Sequence, residues 1–393
     1  MYHLKNYDDI LLTFMIEKPG LEERVTKIKY INEDAKALLP PGLEVSPDGL
    51  TKWLQRRGIP KNRAYVHEIL ASYGLQQGDY RAILEVCKGL SVNDSYWVVS
   101  TDFNGTFKDY NLYENSFSEV LALVAYTGYA TSIKELSTSP EFTTEGMLPK
   151  AWRRIKDKIY LYKGGTKGFA NAGMEPYSEF YAAQVAQCMG IHHVSYGLEK
   201  WKGILASTCE LFTDINTAYV PIGIVVKAGG IDAVSDFYHK LGEEYYEELA
   251  SMLVFDALIY NEDRHYGNFG LLKENRTGNY IGCAPIFDNG YSLFATAMKE
   301  DLERIDSYAE ARSFACCGVT HDDLVKNFCG ELQLKQLKRM INFKFERHPQ
   351  YNLPEERLAV LESFIRKRTE QLLKLEKIRI VGKDKKRKQN KSR

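Results

Sequence analysis

Apolar and polar positions follow two rhythms along this chain. Short apolar runs bounded by turn residues predict strands, and apolar residues three and four apart predict helices. The run from Ile10 to Ile16 fits either a buried strand or a helix segment. Leu50, Trp53 and Leu54 share one face of a short helix, with Pro60 to stop it. A second short helix is expected from Ala64 to Tyr73. Asn93 and Asp94 mark a turn before the extended run Tyr96, Trp97, Val98, Val99, and Phe117 to Gly128 reads as helix.

From Arg153 to Tyr162 the pattern predicts two short strands about a turn. The run from Ile159 to Lys163 is the clearer one, ended by Gly164 and Gly165. Pro176 near the start and Gly190 just past the end frame a helix. Strands are expected from Val194 to Leu198 and from Gly203 to Phe212, and Lys227 to Gly230 reads as a loop. The strongest helix runs from Gly242 to Tyr260, with Tyr246, Leu249, Leu253, Phe255 and Ile259 as its apolar positions. Strands at Leu271-Leu272 and Tyr280-Ile281 enclose a turn, and helices are expected over 322–328, 333–343 and 354–375. The pattern is a small sheet with one inserted helix, followed by a helix-rich half.

At 393 residues the chain exceeds what one hydrophobic core usually fills, so two or three structural units are expected. Lys plus Arg and Asp plus Glu each total 52, which gives no global steer toward a nucleic-acid coat or a membrane surface. No apolar run approaches the ~20 residues of a membrane span, and no leader is visible, so a cytoplasmic setting is expected. Seven Cys with no CxxC pair fit reduced, inert thiols, with Cys316 and Cys317 a packing pair. Arg56, Arg57, Lys61 and Arg63 read as a solvated basic face, since nucleic-acid recognition spacings are missing. The Lys- and Arg-rich tail beyond Gly382 reads as disordered.

The chemistry concentrates in Asp263, Asn268 and Asp288. Asp263 follows the strongest helix, Asn268 lies five residues on, and Asp288 follows an apolar strand-like run before Gly290. Phosphoryl transfer needs a group to orient the acceptor hydroxyl and hard oxygen ligands for magnesium. Each residue alone reads better as a cap; their order across one helix end, one short hairpin and one strand end makes them a candidate phosphotransfer centre. Lys163, at the end of its strand, is a candidate for nucleotide phosphates, and Glu179 in the next helix a candidate partner for it. The alternative is a surface Lys and an exposed Glu. Thr143 to Lys150 is a candidate phosphate-covering loop in which Gly146 permits close approach. Glu210 and Phe212 could flank adenine or form an ordinary interdomain strand. His265 lacks an HExxH setting and reads as a loop-ordering residue, and His192-His193 as a turn pair.

On these residues the chain resembles the HipA-like serine/threonine kinases over roughly Ser139 to Leu375. Asn261-Glu262-Asp263-Arg264-His265-Tyr266-Gly267-Asn268 looks like the family's catalytic loop, and Ala284-Pro285-Ile286-Phe287-Asp288 like its metal-binding segment. Gly146-Met147-Leu148-Pro149-Lys150 resembles its phosphate-side loop, Tyr162-Lys163 its nucleotide-lysine strand and Glu210-Leu211-Phe212 its hinge. The resemblance implies an α+β, two-lobed protein-kinase-like fold with a small mixed sheet/helix lobe and a mainly helical lobe. It divides the chain into a divergent module over 1–115, an N-lobe over 116–212, a helical C-lobe over 213–376 and a tail over 377–393.

It implies Asp263 as catalytic base, Asn268 and Asp288 as magnesium ligands, and Gly146, Lys150, Lys163, Glu179, Glu210, Phe212 and His265 around ATP. The implied reaction is ATP- and magnesium-dependent phosphorylation of a protein serine or threonine. Thr143 and Thr144 stand as candidate autophosphorylation sites, because a Thr-containing segment replaces the serine found in that loop of the best-known members. A toxin role with a small DNA-binding antitoxin as partner is implied for some members. A lipid or small-molecule kinase, or a non-catalytic nucleotide-binding regulator, would share much of the pattern.

Overall fold

The computed structural model describes residues 1–379 apart from Leu21, Gln77, Ala130, 134–137, Phe169, Cys316 and Cys317. The expected Cys316–Cys317 packing pair and the basic tail lie outside the described residues. The architecture is α+β, in two compact units. The first comprises Met1–Gly164, Cys209–Val220 and Leu271–Gly282; the second comprises Gly165–Thr208, Pro221–Gly270 and Cys283–Arg393.

The first unit opens with strands β1 (Tyr2–Asn6), β2 (Asp9–Glu17) and β3 (Arg24–Ile31), joined much later by β4 (Tyr96–Ser100). They form an antiparallel sheet in the order β3-β2-β1-β4. The Ile10–Ile16 run is therefore strand. Leu12 lies opposite Leu4, but Ile10 lies opposite Lys5, so Leu11 is an extra residue in the ladder. That bulge lets the consecutive Leu11 and Leu12 both bury, and it hides the alternation that would have marked a strand. One face packs Tyr2, Leu4, Leu12, Phe14 and Val98 on Leu50 and Leu54 of the helix Pro47–Gln55. Ser46 caps that helix by accepting from the Gly49 N–H at 3.0 Å. The other face packs Trp97 and Val99 on Leu90, Val92, Phe107, Trp152 and Ile159. β4 is thus buried on both sides, and its outer edge is partly covered by a bond from Val98 N–H to Lys88 O at 2.7 Å.

The basic cluster is solvated only in part, at the exposed Arg56 and Lys61. Arg57 and Arg63 are buried, not solvated. Arg57 pairs with Asp94 and stacks over Trp53 at 4.5 Å. Arg63 pairs with the fully buried Glu141, which also accepts the Trp152 N–H at 2.7 Å. Burial pushes the Glu141 carboxyl up to about 7, with Arg63 and the Trp152 N–H pulling against it. The hairpin β5 (Lys150–Ile155) and β6 (Lys158–Gly164) follows, as the pattern predicted.

β7 (Tyr196–Trp201) and β8 (Ile204–Glu210) turn on Lys202 and Gly203, both at positive φ, the geometry of a tight hairpin. β9 (Thr217–Pro221), β10 (Gly270–Glu274) and β11 (Tyr280–Cys283) form a sheet in the order β11-β10-β9. The second unit is mainly helical. Its central helix, Glu243–Ile259, is buried without interruption from Leu249 onward, so it is apolar all round rather than striped. Its other described helices of eight residues or more are Glu175–Met189, Gly230–Leu241, His321–Phe328, Glu331–Lys338 and Glu355–Lys374. Gly230–Leu241 and, in the first unit, Tyr80–Cys87 had no expectation behind them. No described helix is long and apolar enough to cross a membrane. Among the described cysteines all are free thiols, and burial raises the pKa of Cys87 to about 11.

Candidate active site

The central helix ends because Tyr260 turns left-handed, at φ 52°, while its N–H still reaches Asp256 O. Asn261 then fixes the exit. Its amide donates to Asp256 Oδ1 at 2.9 Å, and its Oδ1 accepts the Asp263 N–H at 3.1 Å. His265 N–H bonds Asp263 O at 2.8 Å, and Asn268 N–H bonds His265 O at 2.9 Å. The Asn268 side-chain amide closes the loop on Asp263 O at 3.1 Å. His265 is exposed, and its Nδ1 accepts the Gly267 N–H at 3.0 Å, a local ordering contact.

Asp288 is placed by a different route. A parallel bridge between His193 and Ile286 holds the preceding segment, through Ile286 N–H to His192 O at 3.0 Å and Val194 N–H to Ile286 O at 2.9 Å. Asp288 itself sits at φ 56°, a strained backbone for a non-glycine residue. Its N–H donates to Tyr196 Oη at 3.1 Å. The next N–H, of Asn289, donates to Glu179 Oε2 at 2.8 Å. Glu179 comes from the helix Glu175–Met189 and is 0% exposed, so the exposed-glutamate reading is ruled out. Lys163 is likewise buried in its own unit.

One residue that the sequence reading passed over joins the two segments. Arg264 is buried and donates to Asp256 Oδ2 at 2.9 Å and Oδ1 at 3.0 Å. It also donates to Asn268 O at 3.1 Å, Phe287 O at 2.6 Å and Asn289 Oδ1 at 2.5 Å. A planar guanidinium suits such a fork, because its donors leave in fixed directions. Burial opposes its charge, but Asp256 and then Asp288 and Glu179 hold its pKa above the ordinary value. Arg264 thereby ties the backbone of Asn268 to the residues on either side of Asp288, and Glu179 holds the Asn289 N–H of that same segment. The missed signal was Asp256, a carboxylate inside the otherwise apolar stretch from Met252 to Ile259.

The remaining candidates lie in the first unit. Lys150 and Lys163 are directly opposed across the β5–β6 ladder. Directly opposed residues share a face, and like charges there repel. Lys150 Nζ donates to Glu145 O at 2.7 Å. Gly146, at φ 101°, makes that reach feasible, since a Cβ there would collide with Lys150 Nζ. The Thr143 hydroxyl is buried and donates to Leu90 O at 3.0 Å. Thr144 donates to Pro140 O at 2.7 Å and accepts the Trp152 indole N–H at 2.8 Å. Glu210 pairs with Lys158 at 2.7 Å, and Phe212 meets Tyr219 edge-on at 5.6 Å. Leu211 N–H is bonded to Ile159 O at 2.8 Å.

No family model matches the chain. A segment is 26% identical over 135 residues to the serine/threonine-protein kinase CtkA of Helicobacter pylori. That match covers 31% of this chain and 41% of CtkA, so the chain spans less than half of the length of this curated relative. The solved Shewanella oneidensis MR-1 toxin–antitoxin complex of HipA, HipB and operator DNA contains a chain with the same fold. That likeness covers 98% of this chain and 99% of the other, at TM-score 0.54 and 10% identity. The crystal structure of CtkA matches 57% of this chain and 90% of its own, at TM-score 0.44 and 18% identity. The fold is α+β and HipA-like, and the relationship to the kinases is distant.

Proposed function

We propose that this chain is an ATP- and magnesium-dependent phosphotransferase whose acceptor is a protein serine or threonine hydroxyl. The observation that carries the reading is the Arg264 clamp, which holds the Asn268 and Phe287 carbonyls at 3.1 and 2.6 Å from one guanidinium. A buried arginine so arranged carries a desolvation cost that its bonds to Asp256 offset. It ties the Asn268 carbonyl to the residues on either side of the strained Asp288, and such preorganisation is what phosphoryl transfer would draw on.

Among the described residues there is no cluster of three or more His, Cys, Asp or Glu suited to a metal. Magnesium does not require one, since it keeps waters and phosphate oxygens and takes only one or two protein oxygens. The hard oxygens of Asn268 and Asp288 fit that demand, and these two would hold the ion. When bound, magnesium offsets the charge of the transferred phosphoryl group. Asp263 would accept the proton of the acceptor hydroxyl, its loop held by Asn261 and by the Asn268 amide. In the first unit Lys150 and Lys163, opposed on one hairpin face, would bind the phosphates, and an anion there relieves their mutual repulsion. Gly146 would let the backbone approach those phosphates. Glu210 and Phe212 are the proposed adenine neighbours. The likeness to CtkA supports the protein acceptor, and the HipA fold supports a small DNA-binding antitoxin as partner class.

The test is incorporation of labelled phosphate from ATP and magnesium by the parent and Asp263→Ala. Loss of ~10²-fold or more is expected for a general base. Equal incorporation sinks the assignment. Labelling of a matched cell extract then separates a protein acceptor from a lipid or small molecule.

A further inference from the structure

Behind the candidate catalytic loop lies a buried histidine that the proposed chemistry does not use. His321 begins the helix His321–Phe328, capped by Thr320 accepting from Asp323 N–H at 3.1 Å. The residue is 1% exposed, and neither ring nitrogen has a hydrogen-bond partner among the described residues. A buried polar group left unpaired demands an explanation. The ring packs on Tyr260, centroid to centroid at 4.6 Å. Tyr260 is the left-handed residue that ends the central helix, three positions before Asp263. Phe294 and Phe364 enclose the same tyrosine at 5.3 and 5.4 Å.

The charged groups around this ring are few. Arg368, from the helix Glu355–Lys374, lies over Tyr260 at 5.1 Å and pairs with Asp322 at 2.7 Å. Asp322 neighbours His321 on its own helix, and beyond Tyr260 stand Glu310 and Asp306. Burial first, and Arg368 second, hold the imidazole pKa down to about 4, against Asp322. A proton taken up here therefore puts a second cation beside Arg368, without an acceptor for it.

We infer that His321 is a positioning residue, an uncharged wedge under Tyr260 that keeps the Asn261–Asp263 turn in place and releases it when the ring takes a proton. The role in catalysis rests on the phosphotransferase reading; the wedge itself does not. The sign follows from the lowered pKa. The closed packing is fully favoured above the ordinary histidine value and weakens as pH falls from about 6.5 toward about 4.

Hydrogen exchange across residues 256–268 tests it, in the full chain and in His321→Gln, at pH 7 and pH 5. The parent-to-variant ratio cancels the intrinsic pH dependence of exchange. Local opening of the parent should rise about 20-fold more than that of the variant, from the two pKa values alone. His321→Asn provides a second neutral variant if Gln does not fold. An unchanged ratio overturns the wedge. Phosphotransfer is then followed over pH 5–8, where the parent should lose kcat relative to His321→Gln on the acid side with KM for ATP unaltered. Differing exchange with identical acid limbs overturns the positioning role. No phosphotransfer from either protein at any pH removes the phosphotransferase reading and the positioning role that rests on it, and the exchange ratio still decides the wedge.

Discussion

Replacing Asp256 with Ala should unlock the Arg264 frame. Asp256 is 1% exposed and Arg264 6%, so their bonds at 2.9 and 3.0 Å lie out of solvent. Removing one partner of a buried pair costs roughly 3–5 kcal/mol, because the other charge is left uncompensated. The Asn261 amide loses its acceptor at 2.9 Å as well, worth about 1 kcal/mol more. A total of about 4–6 kcal/mol corresponds to roughly a 10³- to 10⁴-fold loss of protection in local opening. Native-state hydrogen exchange over the helix Glu243–Ile259 reads this without assuming two-state unfolding, which a chain of two units need not obey. Asp256→Ala with Arg264→Met removes both charges and should recover much of the loss, since the unpaired cation is gone. A cost below about 1 kcal/mol for Asp256→Ala, or a double variant as damaged as the sum of the singles, would refute the argument.

The other expectations concern single residues. Asp288→Ala should lose ~10²-fold or more of magnesium-dependent phosphate incorporation, and unchanged use of magnesium-ATP removes the metal role. Gly146→Ala forces a Cβ into Lys150 Nζ at φ 101°, so the KM for ATP should rise about tenfold at a stability cost of about 1 kcal/mol; an unaltered KM disproves the loop assignment. Glu141 has its pKa raised to about 7, so its contribution is greatest below the ordinary carboxyl range and is lost as pH rises through 7. Urea midpoints at pH 5 and 8 should show a parent loss of order 2 kcal/mol that Glu141→Gln lacks, and parallel midpoints would contradict it. Phosphopeptide mapping should find Thr144 labelled ahead of Thr143, whose buried hydroxyl is bonded to Leu90 O; labelling at Thr143 alone reverses that order.

Local pattern carried much of the fold. The helices near 50–55, 66–72, 119–127, 175–189 and 243–259 and the β5–β6 hairpin were legible because period and end residues are properties of a few neighbours along the chain. The candidate residues Asp263, Asn268 and Asp288 were legible by type and order. What periodicity could not reach was the fate of charge. Arg63 read as surface because its partner Glu141 stands 78 positions away, and Glu179 read as exposed or as a lysine partner because Asn289 stands 110 away. The bulge at Leu11 concealed β2, since an extra residue breaks the very alternation that identifies a strand. His321 gave no local sign of lying under Tyr260. Sequence thus named many of the elements and a set of candidate side chains. Tertiary structure alone decided which charges were buried and against what, because desolvation and pairing depend on groups that meet only when distant segments pack.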